Sequence, residues 1–255
     1  MKPLFPVFRS RILSISLVLA GSAVMLSCSK LNDDDNQNVP VAGLMAFNLA
    51  PDQSSLILTL NGSNLTNFPL PFTNYTGGYL SVYAGNRTLD AYSSTSSSEP
   101  IATASANLEP KKYYSSFTIG ANSNYRNVIV HDNFDTLTAT GQSYIRYINA
   151  IPDSSRPTVT IATGGTNVVN QQPAFGFVAD FVAIAPGEVS IDIANGSTID
   201  ADRTITVEQN KLYTVLLTGL PGTTPATEMI KFIQNGALTE QQSKQSSARA
   251  AIRSN

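Results

Sequence analysis

One thiol, Cys28, and one imidazole, His131, are all that this chain of 255 residues offers of the two side chains most used for catalysis and metal binding. A catalytic triad or a multi-histidine metal site needs several such groups held together, and a disulfide needs a second cysteine. No Gly-x-Ser-x-Gly elbow and no Gly-x-x-x-x-Gly-Lys phosphate loop follows Cys28. No catalytic residue, no cofactor and no metal are therefore expected, and His131 is read as a strand-end residue aligned with Ile233. Carboxylates remain, because a glycosidase needs only two of them several ångströms apart. Asp52 and Asp153 each follow a proline at a strand end, where Asp accepts backbone N–H groups to hold a turn. Asp90 and Asp192 sit in alternating strands opposite the apolar positions. Asp192, Asn195, Asp200 and Asp202 carry hard oxygen ligands for calcium, yet their spacing is that of no EF-hand and suits a polar turn. Asp132, Asn133 and Asp135 are read as solvating a linker.

Cys28 is the residue with a chemical use. Residues 1–27 have the layout of an export signal: a basic start with Lys2, Arg9 and Arg11, an apolar run from Ile12 to Leu26, and small residues near its end. That run is too short to be a permanent span. Met25-Leu26-Ser27-Cys28 resembles a bacterial lipobox, with Met25 where Leu is usual, and the resemblance implies a lipidated Cys28 as mature N-terminus. Three acyl chains follow from it, and at ~0.8 kcal/mol per buried methylene they make release negligible. Ser29, in place of Asp after the cysteine, implies the outer membrane of a gram-negative bacterium. Residues 28–40 are expected to be a polar, acidic tether; its Asp33-Asp34-Asp35 run reads equally as a solvated spacer and as an acidic signal for the cell surface.

The elements that must carry any site are strands. The chain is 42% hydrophobic and 13% charged with formal net charge -2, so no field for nucleic acid exists. Ser, Thr, Asn and Gly abound and β-branched residues alternate with polar ones, an all-β composition.

The sequence also repeats. Phe47-Asn48-Leu49-Ala50-Pro51-Asp52 lines up with Ile148-Asn149-Ala150-Ile151-Pro152-Asp153, and Gly85 to Asp90 with Gly187 to Asp192. Leu108-Glu109-Pro110-Lys111-Lys112-Tyr113-Tyr114 lines up with Val207-Glu208-Gln209-Asn210-Lys211-Leu212-Tyr213, followed by Gly120 and Gly219. Ordered matches at an offset of about 100 residues mark a domain-sized repeat. In the second copy, strands are expected over Tyr144–Ile148, around Val159 and Ile161, over Phe175–Ile184, around Val189–Ile193 and Ile205–Val207, over Leu212–Leu217 and over Met229–Ile233. A Gly164-Gly165 turn and an Asn195-Gly196 hairpin signal lie between them. About seven short strands per copy predict two tandem immunoglobulin-like or transthyretin-like β-sandwiches, residues 41–138 and 139–238, before a polar tail, 239–255.

The Asn-x-x-Pro-Asp strand ends, the turn into Val-x-Ile-Asp, and the Lys-x-Tyr-Thr-Val-x-Leu-x-Gly strand resemble the bacterial domain-of-unknown-function family 4397. The resemblance covers most of the chain after the tether, with the second copy the better match. It implies an exported or lipid-anchored protein and brings no activity.

Two further features remain. Tyr75, Tyr79 and Tyr83 fall four apart and would share one face of a strand. Their counterparts Phe177, Phe181 and Ala185 read as core, so core packing is the first expectation for the tyrosines too; the alternative is that their hydroxyls mark a wetter surface able to stack on a sugar ring or a peptide. Asp135-Thr136-Leu137 resembles the Asp-Thr-aliphatic site of bacterial O-glycosylation, which would place a glycan on Thr136. The expectation is a non-enzymatic, lipid-anchored envelope protein with binding or structural domains, its partner an envelope protein or a glycan; the alternative is a glycan-binding accessory lipoprotein of an outer-membrane uptake system.

Overall fold

A computed structural model describes residues 39–96, 98–223 and 227–238, and its named elements are all β-strands. Cys28, the signal at 1–27, the Asp33-Asp34-Asp35 run and the tail at 239–255 lie outside the described residues. The first copy contains β1 (Val41–Leu49), β2 (Ser55–Leu60), β3 (Ser63–Asn64), β4 (Leu70–Pro71), β5 (Leu80–Tyr83), β6 (Gly85–Ser93), β7 (Ala102–Leu108), β8 (Tyr113–Ala121) and β9 (Asn124–His131). The second contains β10 (Ser143–Asn149), β11 (Thr158–Thr163), β12 (Thr166–Gln171), β13 (Val182–Ile184), β14 (Gly187–Ala194), β15 (Asp200–Val207), β16 (Lys211–Thr218) and β17 (Met229–Ala237). The all-β expectation is met, with short extra strands that the sequence pattern did not mark.

Each copy is a two-sheet sandwich built to one plan. One sheet has the order β5-β1-β8-β9 in the first copy and β13-β10-β16-β17 in the second. In each, the central pair is parallel, β1 with β8 and β10 with β16, and its neighbours are antiparallel. The facing sheets, β3-β2-β6-β7 and β12-β11-β14-β15, are antiparallel. Their strands show the one-sided alternation that a half-solvated sheet requires: in β14, Val189, Ile191 and Ile193 are buried while Glu188, Ser190 and Asp192 face outward.

The other two sheets do not alternate. Strands β8, β10 and β16 are buried almost end to end, as is β1 from Leu44 onward, the mark of a sheet covered on both faces. In β10, Ile145 and Tyr147 point into the second sandwich, while Ile148 and, just past the strand, Ala150 join Phe47, Leu49, Phe117, Ile119 and Leu216 in a separate apolar cluster. That cluster joins the two copies. They are two sandwiches in topology and one compact unit in packing, four sheets deep.

The repeated residues have repeated jobs. Asn48 and Asn149 are fully buried. Each amide donates to a carbonyl more than twenty residues on, Leu70 O at 3.0 Å and Pro173 O at 3.2 Å, and each side-chain oxygen accepts the N–H two residues on, from Ala50 and Ile151. Tyr114 and Tyr213 each accept, on the hydroxyl, the backbone N–H five residues upstream, from Glu109 and Glu208, both at 3.0 Å. This is the tyrosine-corner device of β-sandwiches, and it locks the turn into β8 and β16.

The expected single strand over Phe175–Ile184 is corrected. Gly176 takes φ 81° in a turn closed by Phe177 N–H to Ala174 O, so only Val178 bridges to Ile148 and the ladder resumes at Val182. The alignment of His131 with Ile233 is also off by one. His131 pairs with Tyr114, whereas the equivalent Tyr213 pairs with Gln234, so His131 corresponds to Gln234; the bulge at Leu212/Tyr213 shifts the register only beyond that pair.

Candidate functional site

The junction of the copies contains a polar centre inside an apolar surround. Asp132 leaves the end of β9 with its side chain fully buried, and Arg146, in the middle of β10, is almost as deeply enclosed. The Arg146 guanidinium donates to Asp132 Oδ1 at 2.6 Å, to Ser115 Oγ at 2.9 Å and to Thr214 Oγ1 at 3.0 Å. The other carboxylate oxygen accepts from Tyr79 Oη at 2.5 Å and Ser115 Oγ at 2.6 Å. Thr214 passes the chain on to Asn235 at 2.7 Å. The guanidinium also lies 4.5 Å from the centroid of Phe181. Burial, and then the Asp132 charge, push the Tyr79 hydroxyl well above the usual tyrosine range, so it stays a donor. A buried ion pair persists only when its remaining lone pairs and protons are met, and here they are met from both copies.

The linker expectation for Asp132 is thereby corrected: it is a strut between the copies and not a solvated residue. Its partner lies across the junction, which is why a local reading of the sequence missed it. Arg146 did carry a signal, as the one charged residue in the run Tyr144–Ala150. Of the other two linker residues, Asp135 pairs with Lys112 at 2.7 Å and Asn133 accepts the N–H of Asp135, both at the surface.

The copies run in the same direction. Early β10 meets early β8 at Arg146 and Ser115, and late β16 meets late β1 where Thr218 Oγ1 donates to Leu49 O at 3.1 Å. The body therefore has a near end, where the chain enters β1, and a far end, where both Pro-Asp turns lie. At the far end a groove of about 670 Å³ opens between the copies. Its first-copy wall is the β8–β9 hairpin with Asn122, Asn124 and Arg126; its second-copy wall includes Pro152, Arg156 and Phe175. The Arg126 guanidinium lies 4.7 Å from the centroid of Phe175 and donates to Phe175 O at 2.5 Å. Gly176, at φ 81°, makes the turn that sets Phe175 against that guanidinium. Two exposed arginines, side-chain amides and the Asp153 carboxylate make a mixed polar wall that suits a hydroxyl-rich ligand. They supply no pairing of a nucleophile with a base.

The shared strand face expected of the three tyrosines is corrected, while packing against the core holds for Tyr75 and Tyr79. Only Tyr83 lies in a strand, at the end of β5; Tyr75 sits on an isolated bridge opposite Phe47 and Tyr79 just precedes β5. Tyr75 stacks on Phe47 with centroids 5.5 Å apart, and Tyr79 meets Tyr113 edge-on at 5.0 Å. Tyr83 alone is well exposed, at 62%. The three share no stacking face, because the chain from Tyr75 to Tyr79 is a loop folded onto the junction.

The carboxylates have structural partners. Asp52 accepts Asn122 N–H at 2.8 Å and Tyr125 Oη at 2.7 Å, bracing the β8–β9 hairpin. Asp153 accepts Ser155 N–H at 2.6 Å, and Asp90 accepts the Thr103 hydroxyl at 2.7 Å. Asp192 faces Asp202 across β14 and β15; partial burial, and then Asp200 and Asp202, raise its pKa. Among the described residues no group of three or more His, Cys, Asp or Glu is placed to hold a metal, and no helix is long and apolar enough to cross a membrane. His131 ends β9 exposed, with its ring 5.3 Å from that of Tyr114. With Asp180 and Thr136 it lines a smaller cavity of about 210 Å³, and Thr136 itself stands exposed on a turn.

A family model described as a domain of unknown function, DUF4397, matches the chain twice, over residues 42–156 and 143–253. Among curated proteins none matches significantly. Among solved structures, a candidate cell adhesion protein from Parabacteroides distasonis is similar at 10% identity, over 76% of this chain and 99% of that one, with a TM-score of 0.21. That likeness is too distant to bear on function.

Proposed function

Because the chain belongs to the DUF4397 family and carries its domain twice in tandem, we propose that it is a lipid-anchored cell-envelope protein whose paired β-sandwiches bind or space and do not catalyse. One observation supports this above others. The buried ionic centre, Asp132 and Arg146 with Ser115, Tyr79 and Thr214, is committed to joining the copies. A general acid or base needs an open side toward substrate, whereas Asp132 accepts three hydrogen bonds and the guanidinium reaches three partners. The far-end groove is then the surface left for recognition. In this proposal Cys28 carries the lipid, Ser29 directs it to the outer membrane, and the groove faces away from the bilayer.

A glycan-binding accessory role in an outer-membrane uptake system is the second reading. Asn122 and Asn124 beside Arg156 are donors and acceptors of the kind that sugar hydroxyls use. Arg126 already covers one face of Phe175, so a sugar would be held there by hydrogen bonds more than by ring stacking.

Fractionation and protease shaving of intact cells test the first reading together. The wild-type chain is expected in the membrane fraction and Cys28→Ala in the soluble one; retention of Cys28→Ala in membranes overturns the anchor. Cleavage of the body on intact cells gives an extracellular ligand, and protection gives a periplasmic one. Loss of a glycan-array signal in Asn124→Ala would favour the second reading.

A further inference from the structure

We propose that the near end of the first copy rests on a lipid surface, at the boundary of headgroups and acyl chains of the membrane that holds Cys28; this rests on the anchor reading above. Five large hydrophobic residues are exposed among those described, and three of them, Val39 at 50%, Val41 at 40% and Tyr83 at 62%, gather at this one end. Val41 and Tyr83 are direct cross-strand partners, and Ala84 N–H bonds Pro40 O beside them. Val41 and Tyr83 border a groove of about 590 Å³ in which Leu60, Leu65 and Val82 alternate with polar residues such as Asn61 and Ser81. Arg87 lines the same groove, its guanidinium donating to Tyr83 O and Ala84 O at 2.8 and 2.7 Å. Valine side chains flanked by a tyrosine and an arginine are the composition of an interfacial contact, where the ring and the cation sit at headgroup level over a shallow apolar face.

Chain length picks the occupant. Val39 follows Cys28 by eleven residues, which span at most ~40 Å in any conformation. The end that carries the uncovered apolar residues is thus the end held within reach of the bilayer. The far-end groove, with its exposed cations and amides, has a different chemistry and points the other way.

The chain contains no tryptophan, so one introduced indole reports its own surroundings. The lipidated protein carrying Tyr83→Trp is reconstituted into vesicles of phosphatidylethanolamine and phosphatidylglycerol with brominated acyl chains, then floated. A second reporter, Val41→Trp, covers the case in which the first does not fold, and Phe177→Trp, which is 44% exposed and lies toward the far end, is the control. The near-end indoles are expected to shift to the blue and lose about half their emission to bromine, as a shallow interfacial site dictates, while the control keeps its emission. Vesicle-bound protein whose near-end indoles are no more quenched than Phe177→Trp overturns the inference and leaves the anchor standing. Protein that does not float with the vesicles overturns both.

Discussion

Replacing Arg146 by alanine removes the cation paired with Asp132 in the junction, and its cost follows from how the pair is enclosed. The two side chains are 3% and 0% exposed. Breaking a buried pair by deleting one member typically costs ~3–5 kcal/mol, because the remaining charge stays buried without compensation. Tyr79 and Ser115 still donate to Asp132, which places the expected loss toward the lower half of that range. For a body of this size each kcal/mol moves the midpoint by ~2–4 °C, so Arg146→Ala should melt roughly 6–16 °C lower. Lys112→Ala is the internal comparison. Its pair with Asp135 has nearly the same N–O distance, 2.7 Å against 2.6 Å, but its side chains are 29% and 28% exposed, and such surface pairs contribute ~0–1 kcal/mol. Urea unfolding followed by circular dichroism, extrapolated linearly to water, reads both. A double replacement, Arg146→Met with Asp132→Leu, should recover part of the loss, since it removes the unpaired charge while leaving the Tyr79 and Ser115 hydroxyls without their acceptor. Arg146→Ala within about 1 kcal/mol of wild type, level with Lys112→Ala, would refute the claim that this centre holds the copies together.

Three further outcomes follow from particular positions. Asp192→Asn should stabilise the protein at neutral pH by a few tenths of a kcal/mol, because the raised pKa of Asp192 means that its charged form is disfavoured in the folded state, opposite Asp202; the gain should shrink as pH falls through that pKa, seen in melts at pH 7 and pH 4. At the alkaline limit the sign is the same in origin: Tyr79 is pushed well up and Tyr147 up to about 12. Both therefore hold their protons in the folded state after the unfolded chain has released them, so stability should fall from about pH 10 upward and tyrosinate absorbance should lag until unfolding. Gly120→Ala should destabilise by several kcal/mol in urea titrations, since φ is 114° and a Cβ would fall 2.1 Å from Asn124 O; Gly219, at φ 129° with Glu228 Cα 2.5 Å from the same point, should respond alike.

That last pair shows what the sequence could reveal. Gly120 and Gly219 align because each copy crowds backbone against the start of its last strand, and the paired Asn48/Asn149 and Tyr114/Tyr213 align because each braces a turn locally. Repeats expose such devices, since the same short-range geometry must be solved twice. The near-continuous apolar runs in β1, β10 and β16 suit strands buried on both faces, a feature read only from the structure, and nothing in them says that the second cover is the other copy. What stayed hidden is what the copies do not share. Asp132 has no ionic counterpart in the second copy, and Arg146 none in the first, where Phe47-Asn48-Leu49 continues an uncharged strand. The far-end groove is hidden for the same reason, being built from loops as distant in the chain as Ala121 and Pro221. The tyrosine spacing misled because a period of four fits a strand face only where the chain is extended, and Tyr75 to Tyr79 is not.

The central claim is that the two copies form one body with a shared junction, so that the near end, the far-end groove and any ligand move as a unit. Scanning calorimetry of the chain from residue 28 onward, with Cys28→Ser in place of the lipid site, tests it most directly. A single transition, with a ratio of calorimetric to van't Hoff enthalpy of about one, is expected for a cooperative body. Two resolved transitions, or one broad transition with a ratio of about two, would mean that each sandwich unfolds alone and would contradict the claim.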